Sequence, residues 1–373
     1  MNFQMLEFIR IQGFKTLLDA SFPLTALNIF TGLNGMGKST LIQTLLLLRQ
    51  SYERNTLFNK GLLLKGDYVS LGTGIDVTAK KSDSLKFILT WSEQKPLRLC
   101  FKYAPQSDLQ PLEESISLGE YRSPEAISLF NKKFQYLSAD RVSPKPSYEA
   151  SAYSIYDLNS LGNHGEYTAH FIAENGQKSL AIPALRHPEA TSSTLLENLD
   201  HWMAEISPGL RIHATMQPAT NSVSLGYAFD QGKEITADFK PQNVGFGITY
   251  VLPVITAILR AQPGDMLIIE NPESHLHPAG QALVGKLCAI AAKSGVQMFI
   301  ETHSDHFLNG VRVAVKDKIV EPEDVKFFFL ERDKGSAAHA STVISPEIDS
   351  NGRMSCWPDG FFDEWDRQLE KLL

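Results

Sequence analysis

The chain opens with a hydrophobic pattern that predicts β-strands. Over residues 6–12, apolar side chains largely alternate with polar ones, which is the two-residue period of a strand with one buried face. A turn at Phe14 and Lys15 divides this region, so residues 1–31 are predicted to form two or three short strands. The last apolar run, residues 27–30, leads directly into a glycine-rich segment.

That segment is a complete phosphate-binding loop. Residues 32–39 read G-L-N-G-M-G-K-S, and a leucine-rich helix is predicted to follow over residues 40–50. In such loops the glycines turn backbone N–H groups toward a phosphate, the lysine reaches the β and γ oxygens, and the serine hydroxyl binds Mg²⁺. A nucleoside triphosphate is therefore the predicted ligand. The predicted nucleotide-binding residues are Asn34, Gly35, Met36, Gly37, Lys38, Ser39 and Thr40.

A second block, from residue 266 onwards, has the pattern of a β-α-β unit. The apolar runs 266–269 and 296–300 predict buried parallel strands, and residues 279–293 predict a helix between them. The first strand ends in E-N-P-E (residues 270–273) and the second in E-T-H-S (residues 301–304). Because ligands bind at the carboxyl edge of such sheets, we expect these polar groups to line a site.

The middle of the chain is less regular. Between residues 61 and 91, strand-like stretches interrupted by glycines predict antiparallel strands, whereas residues 103–230 mix turn-rich segments with helices. One helix carries Leu195, Leu199 and Trp202 at helical spacing and is expected to end near Pro208. No heptad repeat is sustained, which predicts an inserted lobe rather than a long coiled-coil arm.

Composition limits the class of protein. With 373 residues, 43% hydrophobic and 21% charged, the chain has room for two or three folded domains. Its apolar runs are far too short to span a bilayer, and its start lacks the apolar block of a signal peptide, so a cytoplasmic protein with no membrane contact is expected. The scattered cysteines Cys100, Cys288 and Cys356 predict reduced, mostly buried thiols.

The net charge of −7 argues against a globally basic surface for nucleic acid. Contact with DNA or RNA would have to use local basic patches, and ordinary solvated side chains are the alternative interpretation of those positions. The candidate residues are Lys80, Lys81, Lys86, Arg122, Lys132, Lys133 and Lys145.

The phosphate loop, the E-N-P-E-S-H-L-H-P string at 270–278 and the E-T-H-S string resemble, in order and spacing, those of ABC-type ATPases of the structural-maintenance-of-chromosomes (SMC) and RecF-like group. The resemblance implies ATP and Mg²⁺ as cofactors. It implies that Ser39 and Glu270 hold Mg²⁺ and that His303 is the switch residue sensing the γ-phosphate.

Residues 243–249 (N-V-G-F-G-I-T) resemble the degenerate signature loop of the same group. They precede a predicted helix over residues 250–259. In that group the loop completes the nucleotide site of the opposite subunit, which implies a homodimer or larger assembly through the ATPase heads. The residues expected to act in trans are Gly245, Gly247 and Thr249.

Three strings narrow the resemblance to one bacterial family. Residues 136–141 (Y-L-S-A-D-R), 270–278 and 357–362 (W-P-D-G-F-F) are similar to those of AAA/ABC ATPases that carry a C-terminal domain of unknown function and often occur in anti-phage defence loci. The resemblance covers nearly the whole chain. It implies an ATPase that controls a separate effector, a nuclease or a toxin, or that handles foreign nucleic acid.

One position departs from the pattern. Most relatives have a second glutamate here that acts as general base, whereas this chain has Asn271, which cannot take a proton. Glu273 is the candidate base; alternatively it caps the next helix or holds the loop, and Asn271 positions a water for slow hydrolysis. The expected catalytic residues are Glu270, Asn271, Glu273 and His303.

Other groups have two interpretations each. Arg141 is a candidate contact for a phosphate or a partner, with a structural ion pair as the alternative. The tryptophan box at 357–365 is expected to pack a terminal helix onto the core, with partner docking as the alternative. Four histidines invite a metal-site interpretation, although they lack the i, i+4 spacing of a helix-face site. They are His275, His277, His303 and His306.

The predicted fold class is α/β: an ABC-type P-loop ATPase head with a mixed sheet, an antiparallel β lobe, a central inserted α+β lobe and a short C-terminal extension. Residues 1–100 and 231–322 are assigned to the head, 101–230 to the inserted lobe and 323–373 to the extension. The residues after 300 are too few for a further catalytic domain, so no nuclease is expected in this chain.

A rival hypothesis is a nucleotide-gated scaffold that binds or sequesters a partner protein with little hydrolysis, and Asn271 supports it. A motor subunit of a membrane transporter is weaker, because the glycine loop at 245–247 is far from a transporter signature.

Overall fold

A computed structural model describes residues 5–32, 35–79, 82–92, 94–114, 126–232, 234–333, 340–358 and 364–372. Several predicted positions lie outside these ranges: Asn34 of the phosphate loop, the candidate basic residues Lys80, Lys81 and Arg122, and residues 359–363 of the tryptophan box. Over the described ranges, no helix has the length and apolar character needed to cross a bilayer.

The chain divides into two compact units. Unit 1 comprises Met1–Lys133, Val325–Asp349 and Met354–Leu373, and unit 2 comprises Phe134–Asp324 and Ser350–Arg353. The residues between 101 and 230 are thus shared between the two units, with the division at 133/134.

Unit 1 contains the predicted N-terminal strands. An antiparallel sheet has the order β2-β1-β5-β6, and its strands are β1 (Leu6–Phe14), β2 (Leu17–Pro23), β5 (Ser84–Trp91) and β6 (Leu97–Lys102). Alternate side chains of β5 are buried, including Leu85, Phe87 and Leu89, because a strand of this sheet has one face on the core. A short pair joins β4 (Gly61–Leu63) and β7 (Leu109–Pro111). Between β4 and β5 the chain forms the one-turn helix α2 (Gly74–Val77), so residues 61–91 are less strand-like than predicted.

Unit 1 also carries the strand that feeds the phosphate loop. Strand β3 (Leu27–Gly32) is parallel to β14 (Val325–Arg332), which is antiparallel to β15 (Ser341–Ile344). The phenylalanine-rich strand β14 buries Phe327, Phe328 and Phe329. Helix α1 (Lys38–Glu53) follows the loop and is longer at both ends than predicted, and α8 (Glu364–Leu372) lies near the chain end.

Unit 2 has three parallel strands, β8 (Phe134–Leu137), β12 (Met266–Glu270) and β13 (Gln297–Glu301), with β12 paired to both of the others. Helix α6 (Pro278–Lys293) connects β12 to β13, as the sequence predicted, and α7 (Asp305–Lys316) packs against α6. A second sheet of this unit is antiparallel, with the order β10-β11-β9. Its strands are β9 (Tyr148–Glu149), β10 (Leu210–Gln217) and β11 (Ser222–Phe229).

The remaining helices of unit 2 are α3 (Thr168–Asn175), α4 (Leu195–Ile206) and α5 (Phe246–Leu259). Helix α4 buries Leu195, Leu199 and Trp202, the residues that predicted it. Helix α5 begins four residues earlier than the prediction, because Gly245 forms its N-cap.

The cysteine prediction is correct only in part. Cys288 is buried in α6 and Cys100 is half-buried, but Cys356 is exposed.

Candidate functional site

The phosphate loop has the backbone that an anion site requires. Gly35 and Gly37 adopt left-handed backbone angles, with φ of 76° and 89°. A Cβ at Gly37 would lie 2.5 Å from Thr16 Oγ1, so the position tolerates no side chain. Helix α1 then begins at Lys38, directly after the loop, and the positive dipole end of a helix N-terminus favours an anionic ligand.

The side chains of the loop suit a phosphate and a hard cation. Lys38 is buried, and its Nζ donates to the carbonyl oxygen of Gly32 at 2.8 Å. Met36 and Ser39 are half-buried, and Thr40 is buried. An ammonium, a hydroxyl and the backbone amides of such a loop form the donor set that binds the phosphates of a Mg²⁺–nucleotide. The residues present therefore fit ATP.

The turn between β1 and β2 lies against this loop. Lys15 has a positive φ of 52° and its Nζ donates to Gln43 Oε1 of α1 at 2.7 Å. Thr16 Oγ1 is buried and makes no hydrogen bond within the described residues, while Thr16 O accepts from the N–H of Ser341 at 2.9 Å. The sequence predicted the turn but gave no sign that Thr16 faces the loop.

The second group of predicted residues follows the parallel strands of unit 2. Glu270 ends β12, and its Oε2 accepts a hydrogen bond from Ala139 N–H at 3.1 Å. Burial raises the pKa of Glu270 above its ordinary value. Asn271 has a positive φ of 44° and donates its N–H to Glu301 O at 2.7 Å, and its Oδ1 is buried without a hydrogen-bond partner among the described residues.

Glu273 connects this turn to the next one. The residue is 7% exposed, and its Oε1 accepts the backbone N–H of His303 at 2.8 Å. Its Oε2 is buried and makes no hydrogen bond within the described part of the chain, and burial raises its pKa. Glu273 does not cap α6, which begins at Pro278 after His277 with no side-chain cap. The carboxylate therefore holds the loop through one of its oxygens.

The backbone of His303 is fixed from both sides. Glu273 accepts its N–H, and the next residue, Ser304, is the N-cap of α7, with its Oγ accepting from Phe307 N–H at 2.9 Å. The imidazole of His303 is exposed. This geometry suits a side chain that responds to a bound group from a rigid backbone.

Within the described residues Arg141 hydrogen-bonds to backbone carbonyls instead of forming the ion pair considered from the sequence, and its contact with a phosphate or a partner stays a prediction. It is 4% exposed, and its guanidinium donates to four backbone carbonyls rather than to a carboxylate. The acceptors are Ser138 O (3.0 Å), Glu270 O (2.7 Å), Asn271 O (2.6 Å) and Tyr250 O (3.1 Å). The guanidinium also stacks over the Tyr250 ring at 4.5 Å. Arg141 therefore connects the turn after β12 to α5, a role that its sequence neighbours do not indicate.

The signature-like loop divides into an exposed and a buried part. Gly245 is exposed, and a Cβ there would have no atom within 4 Å. At Gly247 a Cβ would lie 2.3 Å from the carbonyl oxygen of His275, so this glycine permits a close backbone approach. Thr249 is buried, with its hydroxyl 3.3 Å from Tyr227 Oη. The Thr249 side chain thus faces the interior of its own protomer.

The histidines near the strand ends do not form a metal site in the described structure. The His275 ring packs against Phe246 and Tyr250, each at 4.9 Å, and His306 lies beside Asp305. The described residues do contain a His/Glu group in unit 2, at His187 and His201 with Glu189. In the C-terminal box, Trp357 is 48% exposed.

Three family profiles match the chain. Residues 107–309 match "AAA domain, putative AbiEii toxin, Type IV TA system", residues 5–146 match "AAA ATPase domain", and residues 320–372 match "Protein of unknown function (DUF3696)". These matches confirm the predicted ATPase resemblance and its C-terminal domain of unknown function. No curated protein sequence matches the chain significantly.

Two solved structures show the fold. One is titled "Crystal structure of the SmcHead bound to the C-winged helix domain of ScpA"; it is 16% identical, with coverage of 92% of this chain and 98% of that chain and a TM-score of 0.53. The other is an Smc head domain with an extended coiled coil bound to the C-terminal domain of ScpA, derived from Pyrococcus furiosus, 14% identical with 99% of each chain covered and a TM-score of 0.50. The predicted fold class, a mixed α/β ATPase head of the SMC type, is confirmed. Because the match over residues 107–309 spans more than half of the chain, the protein belongs to this AbiEii-type AAA-domain family.

Proposed function

We propose that this protein binds ATP with Mg²⁺ and hydrolyses it slowly in a head-to-head homodimer that controls a separate effector in cytoplasmic anti-phage defence. Glu273 carries this proposal. One of its oxygens accepts the His303 N–H, and the other is buried without a hydrogen-bond partner among the described residues. Burial raises the pKa of the Glu273 carboxyl group. A general base for an attacking water needs such a fixed carboxylate with a pKa closer to neutrality.

The nucleotide would be held first by the phosphate loop. In the proposed chemistry Lys38 and the amides from residue 34 to residue 40 bind the phosphates. Ser39 and Glu270 hold Mg²⁺, which neutralises phosphate charge when bound. Burial raises the pKa of Glu270, and the positive charge of a bound metal would lower it.

Three residues of unit 2 would act on the water and the γ-phosphate. Glu273 accepts the proton of the attacking water, and the Asn271 amide orients that water without taking the proton. His303 senses the γ-phosphate from its fixed backbone. Because Asn271 replaces an acid, we expect hydrolysis to be slow and to depend on positioning.

The dimer would be completed by the exposed start of α5. Gly245 and Gly247 are proposed to contact the nucleotide of the opposite subunit through their backbone, which an exposed glycine allows. Thr249, which faces Tyr227 in the same protomer, would support this helix start from within. Two similar Smc head structures hold a bound domain of ScpA, which supports the proposal that this head controls another chain.

The effector is proposed to be a nuclease or toxin encoded separately, since the family description refers to a toxin–antitoxin system. Contact with DNA or RNA would use the lysines that the structure shows to be exposed: Lys86, Lys132, Lys133 and Lys145.

The first test is ATP binding and turnover by the wild type and three variants. Lys38→Ala should abolish nucleotide binding, because it removes the ammonium that neutralises phosphate charge. Glu273→Gln should preserve binding but reduce turnover at least tenfold, because an amide cannot accept a proton. Glu321→Gln, an exposed acid paired with Lys293, is the matched control and should behave as the wild type. Equal turnover in Glu273→Gln and the control would rule out Glu273 as base.

The second test is oligomeric state. ATP should convert Glu273→Gln to a stable dimer in light-scattering measurements, because the ligand stays intact between the heads. A variant that binds ATP and remains monomeric at all concentrations would refute head-to-head engagement.

A nucleotide-gated scaffold is the second candidate. Its support is Asn271, an amide at the position where the resemblance implies a base, with its Oδ1 buried and unpartnered among the described residues. Tight ATP binding and dimerisation in the wild type without measurable turnover would favour this scaffold over the ATPase.

A further inference from the structure

A loop of unit 2 is fastened to the face of α4. The Trp202 Nε1–H donates to Leu185 O at 2.8 Å, and Asn198 Oδ1 accepts the N–H of His187 at 2.8 Å. The Asn198 amide also donates to Ser192 O at 3.2 Å. These bonds bring residues 185–192 onto one side of the helix.

Two imidazoles and a carboxylate meet at this junction. The His187 ring is buried, stacks on His201 with centroids 5.1 Å apart and planes 11° apart, and packs edge-on against Trp202 at 4.5 Å. One ligand atom each of His187, Glu189 and His201 lies within 4.8 Å of the others. A second carboxylate, Glu205, has its Oε1 3.5 Å from His187 Nε2.

The spacing of these residues is that of a metal site. His201 and Glu205 are at positions i and i+4 of α4, which places both side chains on one face of the helix. The loop supplies His187 and Glu189. The strand-end histidines lacked this spacing, and His201 and Glu205 have it within one helix.

We propose that His187, Glu189 and His201 form a Zn²⁺ site that clamps the loop to α4. Imidazole nitrogen and carboxylate oxygen are donors that Zn²⁺ takes at about 2.0–2.2 Å. Hard cations such as Mg²⁺ prefer an all-oxygen set, so two imidazoles select a transition metal. The fourth position falls to Glu205 or to a water.

Binding requires a small local change. His187 Nδ1 accepts the backbone N–H of Glu189 at 3.2 Å. A metal at Nδ1 displaces that N–H directly, and a metal at Nε2 forces the ring proton onto Nδ1, so this hydrogen bond is lost in either case. The ligand atoms must also draw inward, because a tetrahedral Zn²⁺ site separates its ligands by roughly 3.4 Å. The turn at 187–189 therefore re-forms around the ion.

The test uses the full chain, stripped of metal with a chelator and titrated with ZnCl₂ against a chromophoric zinc indicator. The wild type should bind one more Zn²⁺ than His201→Ala, or bind it at least tenfold more tightly. Glu189→Gln, which removes one ligand and keeps the side-chain shape, should weaken the same site. His213→Ala is the matched control, because His213 is an exposed histidine paired with Asp238 and lies outside the group.

Thermal unfolding provides a readout that is independent of ATP. Zn²⁺ should raise the unfolding temperature of the wild type and of His213→Ala and leave His201→Ala unchanged, because a ligand stabilises only the fold that binds it. His201 is used because it is less buried than His187, whose replacement threatens folding. Equal zinc stoichiometry, affinity and thermal shift in the wild type and His201→Ala, or the lack of any zinc binding by the wild type, would overturn the proposal.

Discussion

Replacing Arg141 with lysine keeps the charge but removes a planar group that the turn after β12 depends on. The guanidinium of Arg141 donates four hydrogen bonds to backbone carbonyls, two of them from Glu270 and Asn271. Burial lowers its pKa somewhat, yet an arginine stays charged at neutral pH. A lysine ammonium offers three donors from a single nitrogen and cannot reach four acceptors arranged around a flat fork.

The magnitude follows from the contacts. If two of the four bonds are lost, and a hydrogen bond to a charged group contributes about 1.5–3 kcal/mol, the cost is roughly 3–6 kcal/mol. We expect the lower end, about 3 kcal/mol, because the charge stays in place. For a unit of the size of unit 2, each 1 kcal/mol shifts the unfolding temperature by about 2–4 °C, so Arg141→Lys should unfold about 6–12 °C earlier.

The assay is differential scanning calorimetry without nucleotide, with Arg211→Lys as the control. Arg211 lies in the same unit but is partly exposed, 3.5 Å from Asp230 and 3.9 Å from Asp200, so its replacement should cost less than about 1 kcal/mol. If Arg141→Lys shifted the transition no more than Arg211→Lys does, the carbonyl cluster would not stabilise the unit and the reasoning would be refuted.

Three further predictions concern single positions. Gly37→Ala should destabilise the ligand-free protein by more than about 1 kcal/mol, since it adds left-handed strain and a Cβ 2.5 Å from Thr16 Oγ1, as thermal unfolding would show. Gly247→Ala should cost about 1–3 kcal/mol in the same measurement, because its Cβ would overlap the His275 carbonyl. Hydrogen bonds from Ser192 and Thr191 lower the pKa of Glu197 to about 2, so its contribution is present above about pH 4.5 and lost as pH falls toward 2; Glu197→Gln should flatten the acid-unfolding curve in that window.

The two glycine predictions have matched controls, and the acid-unfolding prediction has an outcome that would contradict it. Gly35→Ala shares the positive φ, but its Cβ has no atom of the described residues within 4 Å, so it should destabilise less than Gly37→Ala; equal effects would contradict the clash. Gly245→Ala should leave unfolding unchanged and weaken ATP-dependent dimerisation, and a loss of stability there would contradict its open environment. An acid-unfolding curve that is the same with and without the Glu197 carboxylate would contradict the pKa argument.

The two motif-bearing regions and the fold class could be predicted from the sequence because their signals are local. The phosphate loop requires glycines that can adopt φ of 76° and 89° directly after a strand. These glycines are visible in the sequence of residues 32–39. The parallel strands β12 and β13 are continuous apolar runs, because both faces are covered. Helix α4 could likewise be predicted, because its buried apolar residues recur at helical spacing along the sequence.

Tertiary contacts decided the remaining roles. Glu273 could have capped α6, and only the folded chain brings it to the N–H of a residue 30 positions away, because that partner follows a neighbouring parallel strand. Three of the four carbonyls that Arg141 contacts lie 109 to 130 residues away along the chain, which no local pattern encodes. The sequence placed Thr249 in a loop before the predicted helix start at residue 250. The helix begins at Phe246 instead, and the Thr249 side chain is buried against Tyr227. Sequence determined which segments form and which chemistry they carry, whereas long-range packing determined which polar groups are paired, because a buried hydrogen bond depends on distance in space and not along the chain.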